Sequence, residues 1–272
     1  MTQKKLSNIA IHTITNRPWT TEQCIDEYSK AGIGGITFWR YSFEDRDPKK
    51  VGDQARESGL NVVSVARGGF FAAESKEDRK KAIDDNKMAI DETHSVGAPS
   101  LVLVCGSNKH QSLNTSRNQI QDGIAECLDH AKDAGVILAI EPLHPMYAAE
   151  RSAVNSMAQA NAICENLENH PNVGIALDVY HTWWDDRLKE EIARSFNNGN
   201  LSSYHICDWL SPMEDMLNDR GLMGEGTIDV DQISEWVIES GFTGFHEVEI
   251  FSERWWKTDQ HDYLKKIISY FD

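Results

Sequence analysis

The feature that most constrains the fold is a recurring boundary at which a charged, amphipathic segment ends in glycine and a short apolar run follows. The boundary occurs five times in the chain, as AGIGGITF, SGLNVVSV, VGAPSLVLV, AGVILAIE and SGFTGFHEVE. Glycine commonly ends helices because it adopts the left-handed conformation without steric cost. Each boundary therefore predicts a helix that stops where a strand is about to begin.

Eight apolar, mostly β-branched runs are predicted as strands, and several lack the alternation of a half-exposed strand. Such runs are typical of parallel strands that are buried on both faces. The predicted strands cover residues 8–13, 35–40, 61–66, 100–105, 136–141, 172–178, 202–207 and 244–250. Helical patterns separate them, which predicts an α/β protein with a single (β/α)8 TIM barrel in one domain, residues 1–272. A doubly wound open sheet is the alternative, but IHTITNRPW replaces its usual glycine motif after the first strand.

Composition narrows the classes of function. The formal net charge of -16 argues against a protein that binds nucleic acid through a basic face. No run of apolar residues is long enough for a membrane span, so we expect no membrane partner. The five cysteines form no CxxC pair, which favours reduced thiols and a cytoplasmic protein.

Polar residues end four successive apolar strands in the second half of the chain. Active sites of eight-stranded barrels lie at the C-terminal ends of the strands. The candidates there are Glu141, Asp178, His205 and the pair Glu247 and Glu249. Buried carboxylates are costly unless they are paired or bound to metal. One histidine with three carboxylates suits one divalent metal ion, Mn²⁺, Mg²⁺ or Co²⁺, and Zn²⁺ is an alternative. Four independent polar groups, each satisfied by neighbours, are the competing interpretation.

The segments IEPLHP, LDVYH, YHICD, DRGLMGEGTID and VEIF occur in this order. Together they resemble the xylose-isomerase-like TIM barrels, which include sugar phosphate isomerases, ketose 3-epimerases and inosose isomerases. The resemblance is strong over strands five to eight and weak before them. It implies that Glu141, Asp178, His205 and Glu249 are metal ligands, with Glu249 preferred over the deeper Glu247. It also implies that Glu141 and Glu249 are the catalytic acid/base pair and that His181 and Arg220 bind substrate. For Arg220, an ion pair with Asp219 or Glu225 is the alternative.

The function that the resemblance implies is a metal-dependent sugar or cyclitol isomerase or epimerase, with Mn²⁺ as the first expectation. The reaction would remove a proton α to a carbonyl and pass through a metal-bound enediolate. A lyase of the inosose dehydratase type would share the first step, and a non-catalytic metal-binding barrel is a remote alternative. The related endonuclease IV requires histidines where this chain has Arg67, Cys105 and Gly221, so that activity is not expected.

The partner is expected to be a small-molecule sugar or polyol, without a phosphate group. Trp39 and Arg67 follow early strands and are predicted to contact it, Trp39 through its aromatic face and Arg67 through its charge. A salt bridge is an equal alternative for Arg67. His12 could face the site or be a satisfied core histidine. The resemblance is compatible with a homodimer or a homotetramer.

Overall fold

The computed structural model describes residues 5–272, so the first four residues of the predicted domain lie outside the described part of the chain. Eight parallel strands form a closed barrel with helices around it, and this confirms the predicted (β/α)8 TIM barrel. The barrel strands are β1 Ile9–His12, β2 Gly35–Trp39, β3 Asn61–Gly69, β4 Ser100–Val104, β5 Ile137–Glu141, β6 Val173–Asp178, β7 Leu201–Ile206 and β8 His246–Val248.

Each strand pairs with its sequence neighbours, and β8 closes the barrel against β1. In the closing ladder Ile9 lies opposite His246 and Ile11 lies opposite Val248. On the other side of β8, Glu247 lies opposite His205 of β7. Because all strands are parallel, their C-terminal ends meet at one face of the barrel.

The helices surround the strands. In most of them a side chain accepts a hydrogen bond from a backbone amide of the first turn. They are α1 Thr21–Lys30, α2 Pro48–Glu57, α3 Lys76–Val96, α4 Leu113–Ala134, α5 Met157–Asn166, α6 Val179–Thr182, α7 Leu188–Asn197, α8 Val230–Ser240, α9 Glu253–Trp256 and α10 Gln260–Ser269. Glycine ends helices where the sequence predicts it. Gly97 and Gly135 cap α3 and α4 in the left-handed conformation, with φ of 83° and 68°. The recurring boundary therefore marks helix ends.

Six strands end within one residue of the predicted limits, and two, β3 and β8, differ by more. The sequence predicts that β3 stops at Ala66, but its ladder continues to Gly69. At Gly69 φ is 108°, and an added Cβ would lie 2.0 Å from the Val104 carbonyl oxygen. Only glycine allows that close approach, so the two glycines extend the strand. Strand β8 is shorter than expected, and Glu249 lies one residue beyond it.

The barrel interior contains few large apolar side chains. Its small apolar cluster consists of Ala66, Val102, Ala139 and Ala176, with Trp39 packed against it. The main core instead fills the layer between strands and helices. Small residues in the interior leave room for the polar groups described below.

Within the described residues, no helix is both long and apolar enough to cross a membrane.

Candidate metal centre and active site

The four predicted ligands meet at the C-terminal face of the barrel. Glu141 and Asp178 are the last residues of β5 and β6, His205 is near the end of β7, and Glu249 follows β8. All four are buried, and one ligand atom from each lies within 4.8 Å of the others. His205 Nδ1 is 3.1 Å from Glu141 Oε1 and 4.0 Å from Glu249 Oε2. The geometry therefore brings together the donor set that the sequence indicated.

Arg220 enters this cluster from the loop after β7. Its Nη1 donates to Asp178 Oδ2 and to Glu249 Oε2, both at 2.9 Å. The guanidinium lies between the rings of Tyr180 and Phe251, 4.5 and 4.8 Å from their centroids. These contacts replace the ion pairs with Asp219 or Glu225 that proximity in sequence suggested. Arg220 thus compensates two of the buried carboxylates.

His181 lies in α6, which begins directly after β6. Asp178 caps this short helix by accepting from the Tyr180 amide at 2.7 Å. His181 Nε2 is 3.3 Å from Arg220 Nη2, whereas its buried Nδ1 has no hydrogen-bond partner within residues 5–272. Burial and the Arg220 charge hold the pKa of His181 well below its usual value, so the ring is neutral. A neutral imidazole with a free nitrogen can bind a substrate hydroxyl.

A second polar chain lies deeper in the barrel. His12 bridges two carboxylates, with Nε2 3.1 Å from Glu247 Oε2 and Nδ1 3.0 Å from Glu249 Oε1. Glu247 also accepts from Thr37 Oγ1 at 2.6 Å and from Ser64 Oγ at 3.0 Å. His12 therefore faces the site, a point that its position at the end of β1 left open.

Burial and mutual charge set the protonation of the cluster. Burial, with the neighbouring Glu249 and Glu141 and despite Arg220, raises the pKa of Asp178 to about 7. For His205, burial would lower the pKa, but the hydrogen bond to Glu141 and the charges of Glu247 and Glu249 raise it to about 10. Burial opposes ionisation of Glu249, yet His12 and Arg220 hold its pKa well below the usual range. Without metal, a proton on His205 offsets the carboxylate charge.

A narrow cavity lies directly above the cluster. Its lining includes Glu141, Glu249, His181 and Arg220 together with the predicted substrate contact Trp39, whose buried Nε1 lacks a partner in the described chain. The free volume is about 20 Å³, enough for roughly one water molecule. A sugar therefore requires the loops above the cavity to open.

Two loops close over this cavity. The Tyr147 hydroxyl, in the loop after β5, donates to the Met216 carbonyl in the loop after β7. Arg151 also lines the cavity. Arg67, predicted as a substrate contact, lies within β3 and does not belong to the residues that line this cavity; its guanidinium lies 4.4 Å from the centroid of the Phe70 ring. From the sequence, Tyr147 and Arg151 lie in the loop after Glu141 and are expected either to close over a substrate or to cap the next helix; in the structure both line the cavity.

The residues fit a divalent ion on chemical grounds. Carboxylates outnumber the fixed positive charge of Arg220 in a buried space, which is the electrostatic environment that a cation stabilises. With Nδ1 facing Glu141, the other nitrogen of His205 points to Glu247 Oε1 at 3.9 Å and has no hydrogen-bond partner in the described residues. A carboxylate behind a ligand histidine commonly fixes its tautomer and orientation.

Comparison with known proteins identifies the family. The family model described as "Xylose isomerase-like TIM barrel" matches residues 25–271. The chain belongs to this family. The resemblance stated from strands five to eight is confirmed, and the match extends it over the first half of the chain.

The chain is similar to three proteins of known name or structure. The crystal structure of protein SMc04130 from Sinorhizobium meliloti 1021 is 42% identical, with a TM-score of 0.93 and 97% of both chains covered. The IolI protein, whose structure contains a bound zinc atom, is 19% identical, with a TM-score of 0.83 over 96% of this chain and 95% of its own. L-ribulose-5-phosphate 3-epimerase UlaE of Salmonella paratyphi A is 25% identical over 242 residues, covering 80% of this chain and 79% of that protein.

Proposed function

We propose that this protein is a divalent-metal-dependent isomerase or epimerase of a small sugar or cyclitol. The observation that carries the proposal is the buried cluster of Glu141, Asp178, His205 and Glu249 at the C-terminal face of the barrel, with ligand atoms within 4.8 Å of one another. The name of one relative, L-ribulose-5-phosphate 3-epimerase, agrees with the reaction class, and the zinc atom bound in the IolI structure agrees with a divalent ion. The assignment of residues 1–272 to one domain, the cytoplasmic location and the homodimer or homotetramer stay predictions.

The four residues would hold the ion, for which Mn²⁺ remains the first expectation. A bound divalent ion would supply Lewis-acid stabilisation of the negative charge that develops on the substrate's carbonyl oxygen. Three protein carboxylates and one imidazole leave coordination positions for substrate oxygens on a six-coordinate ion. The ligand set therefore favours catalysis over a purely structural site.

The protein's own groups then move the proton. Glu249 stays ionised because His12 and Arg220 contact its two oxygens, so it can accept the proton from the carbon next to the carbonyl. Glu141 comes from β5, and β6 and β7 lie between it and β8 in the barrel. We propose that the two carboxylates act on opposite faces of the planar enediolate. His181 and Arg220 would orient substrate oxygens, and Trp39 would cover a C–H face of the sugar.

Isotope exchange tests this function. Chelator-treated protein is reconstituted with Mn²⁺ and incubated in D2O with ketopentoses, ketohexoses and inososes, each tested neutral and in an anionic form. Deuterium should enter the substrate carbon next to the carbonyl only when the reconstituted protein is present. Metal-independent exchange, or no exchange with any member of the panel, contradicts the proposal, and loss of water from the substrate would assign a lyase.

Two variants test the acid/base pair. Glu141→Gln and Glu249→Gln should each lower the exchange rate by about a hundredfold or more, the size of general acid–base effects. Glu57→Gln is the matched control, because Glu57 is exposed in the last turn of α2 at the opposite face of the barrel. Wild-type exchange in either active-site variant would remove that residue from the mechanism.

A further inference from the structure

The arginines of residues 5–272 fall into two groups. Nine have an acceptor within the protein: Arg40, Arg46, Arg56, Arg187, Arg194, Arg220 and Arg254 pair with carboxylates, and Arg79 and Arg117 donate to backbone carbonyls. In that part of the chain, the guanidiniums of Arg17, Arg67 and Arg151 have ring contacts and no ion pair. In a chain with net charge -16, an arginine without any acceptor in the described residues is the exception.

Two of these three arginines lie on segments next to the active-site cavity: the loop after β5, which lines it, and β3, which pairs with β4 up to Val104 of its lining. Arg151 lines the cavity beside Glu141 and stands 5.7 Å from the Tyr147 ring. Arg67 lies where the register between β3 and β4 shifts, an irregularity that commonly redirects a side chain near a site. Its guanidinium stacks on Phe70.

The backbone of Gly106 joins the segments that carry these two arginines. Its amide donates to the Arg151 carbonyl at 3.0 Å, and a Cβ at this glycine would lie 2.7 Å from Phe70 Cα. Glycine 106 thus lets the Arg67–Phe70 segment and the Arg151 loop approach each other. Burial and the nearby Arg151 charge lower the pKa of Arg67, which places the two guanidiniums within electrostatic range.

Two like charges at a partly buried wall oppose folding unless an anion joins them. Guanidinium groups bind carboxylate and phosphate oxygens through paired, charge-assisted hydrogen bonds. Nearby carboxylates cannot take this role, because Glu141 pairs with His205 and Asp85 pairs with Arg40. The missing acceptor is therefore expected from the ligand.

We propose that Arg67 and Arg151 form an anion-binding subsite, and that the substrate carries a carboxylate or phosphate remote from its reacting carbonyl. This inference rests on the proposed function, since it places the carbonyl at the Glu141–Glu249 end of the cavity. It replaces the expectation of a neutral sugar. Both anions share the chemistry that the two guanidiniums recognise, and the experiment separates them.

The test compares three ketoses that differ only at C6: D-fructose, D-fructuronate and D-fructose 6-phosphate. With Mn²⁺-loaded protein in D2O, at least one anionic ketose should exceed fructose in kcat/KM for exchange by about tenfold or more, the effect of one charge-assisted hydrogen bond. Calorimetric binding of the same three ligands gives a readout that needs no turnover. If fructose binds and exchanges as well as both anions, the subsite is overturned while the proposed function stands.

Substitutions at Arg67 and Arg151 show whether these residues cause the preference for an anionic ketose. Arg67→Met and Arg151→Met should each lower the preference for the anionic ketose about ten- to a hundredfold, mainly through KM. Arg67→Lys, which keeps the charge but not the paired geometry, should fall between wild type and Arg67→Met. Lys132→Gln, exposed in the last turn of α4 at the opposite face, is the charge-matched control and should match wild type. An unchanged preference in both methionine variants would overturn the proposal.

Discussion

Binding of a divalent ion at the proposed centre should depend steeply on pH, because two of its four ligands hold protons in the metal-free protein. The pKa of His205 is raised to about 10 and that of Asp178 to about 7. A metal ion needs the neutral imidazole and the ionised carboxylate, so it must displace these protons. The stability that the His205 proton gives the metal-free protein is present below pH 6.5 and is lost as pH rises through about 10.

The size of the effect follows from the two pKa values. Below pH 10, the affinity for Mn²⁺ rises about tenfold for each pH unit, because His205 must lose its proton before it binds the ion. At pH 7 this requirement weakens the binding free energy by about 4 kcal/mol. At and below pH 7, Asp178 also holds a proton that the ion must displace. Together they predict that Mn²⁺ affinity rises roughly fiftyfold from pH 6 to 7 and roughly twentyfold from pH 7 to 8.

Calorimetric titration of Mn²⁺ into chelator-treated protein at pH 6, 7 and 8 measures this dependence. Repeating each titration in two buffers of different ionisation enthalpy gives the protons released, about one at pH 8 and approaching two at pH 6. His205→Asn should bind more weakly and with a shallower pH dependence. His94→Gln, exposed at the C-terminal end of α3, is the matched control. Equal affinities at pH 6 and 8, with heats independent of buffer, would refute the reasoning.

Three further substitutions test how the site is supported. Glu247→Gln should weaken Mn²⁺ binding about ten- to a hundredfold, because Glu247 lies behind His205 and is linked through His12 to Glu249. Calorimetry at pH 8 measures this, and an unchanged Kd would leave Glu247 a packing role only. Asp208→Ala should destabilise the protein by about 3 kcal/mol, since its buried carboxylate accepts from the amides of Gly224, Gly226 and Ile228. Urea unfolding checks it against the exposed control Asp186→Ala, and equal midpoints would contradict it. Gly52→Ala should cost about 1–3 kcal/mol, because its Cβ would lie 2.0 Å from the Val96 carbonyl oxygen in the last turn of α3. A wild-type Tm in that variant would show that α2 shifts freely.

The barrel could be predicted because its signals are local. Each strand is a continuous apolar run, and each helix carries its own caps, so neither depends on distant contacts. The error at the end of β3 lies where a distant contact decides. Gly69 continues β3 because of the Val104 backbone beside it, and β8 ends early although its apolar pattern continues.

The candidate ligands could be predicted from strand ends, because a parallel barrel aligns those ends at one face. The side chains that pair with these ligands could not be predicted. Arg220 is separated from Glu249 by 29 positions and from Asp178 by 42, and His12 is 235 positions from Glu247. Pairings at such separations depend on barrel closure and loop path, which periodicity does not encode. The catalytic and binding roles of these residues stay proposals.

The hydrogen bonds that the Asp208 carboxylate accepts from the amides of Gly224, Gly226 and Ile228 have a consequence for engineering. Residues 208–209 pair with residues 220–221, and Asp208 fixes the returning backbone as far as Ile228, so both ends of the loop after β7 are anchored to one point. Between the anchors, residues 211–216 are mostly exposed, yet the Met216 carbonyl meets Tyr147 over the cavity. We expect that replacement of residues 211–216 would leave Arg220 in place among the carboxylates, because both anchors lie outside the segment, and would alter only the contact with Tyr147 over the cavity.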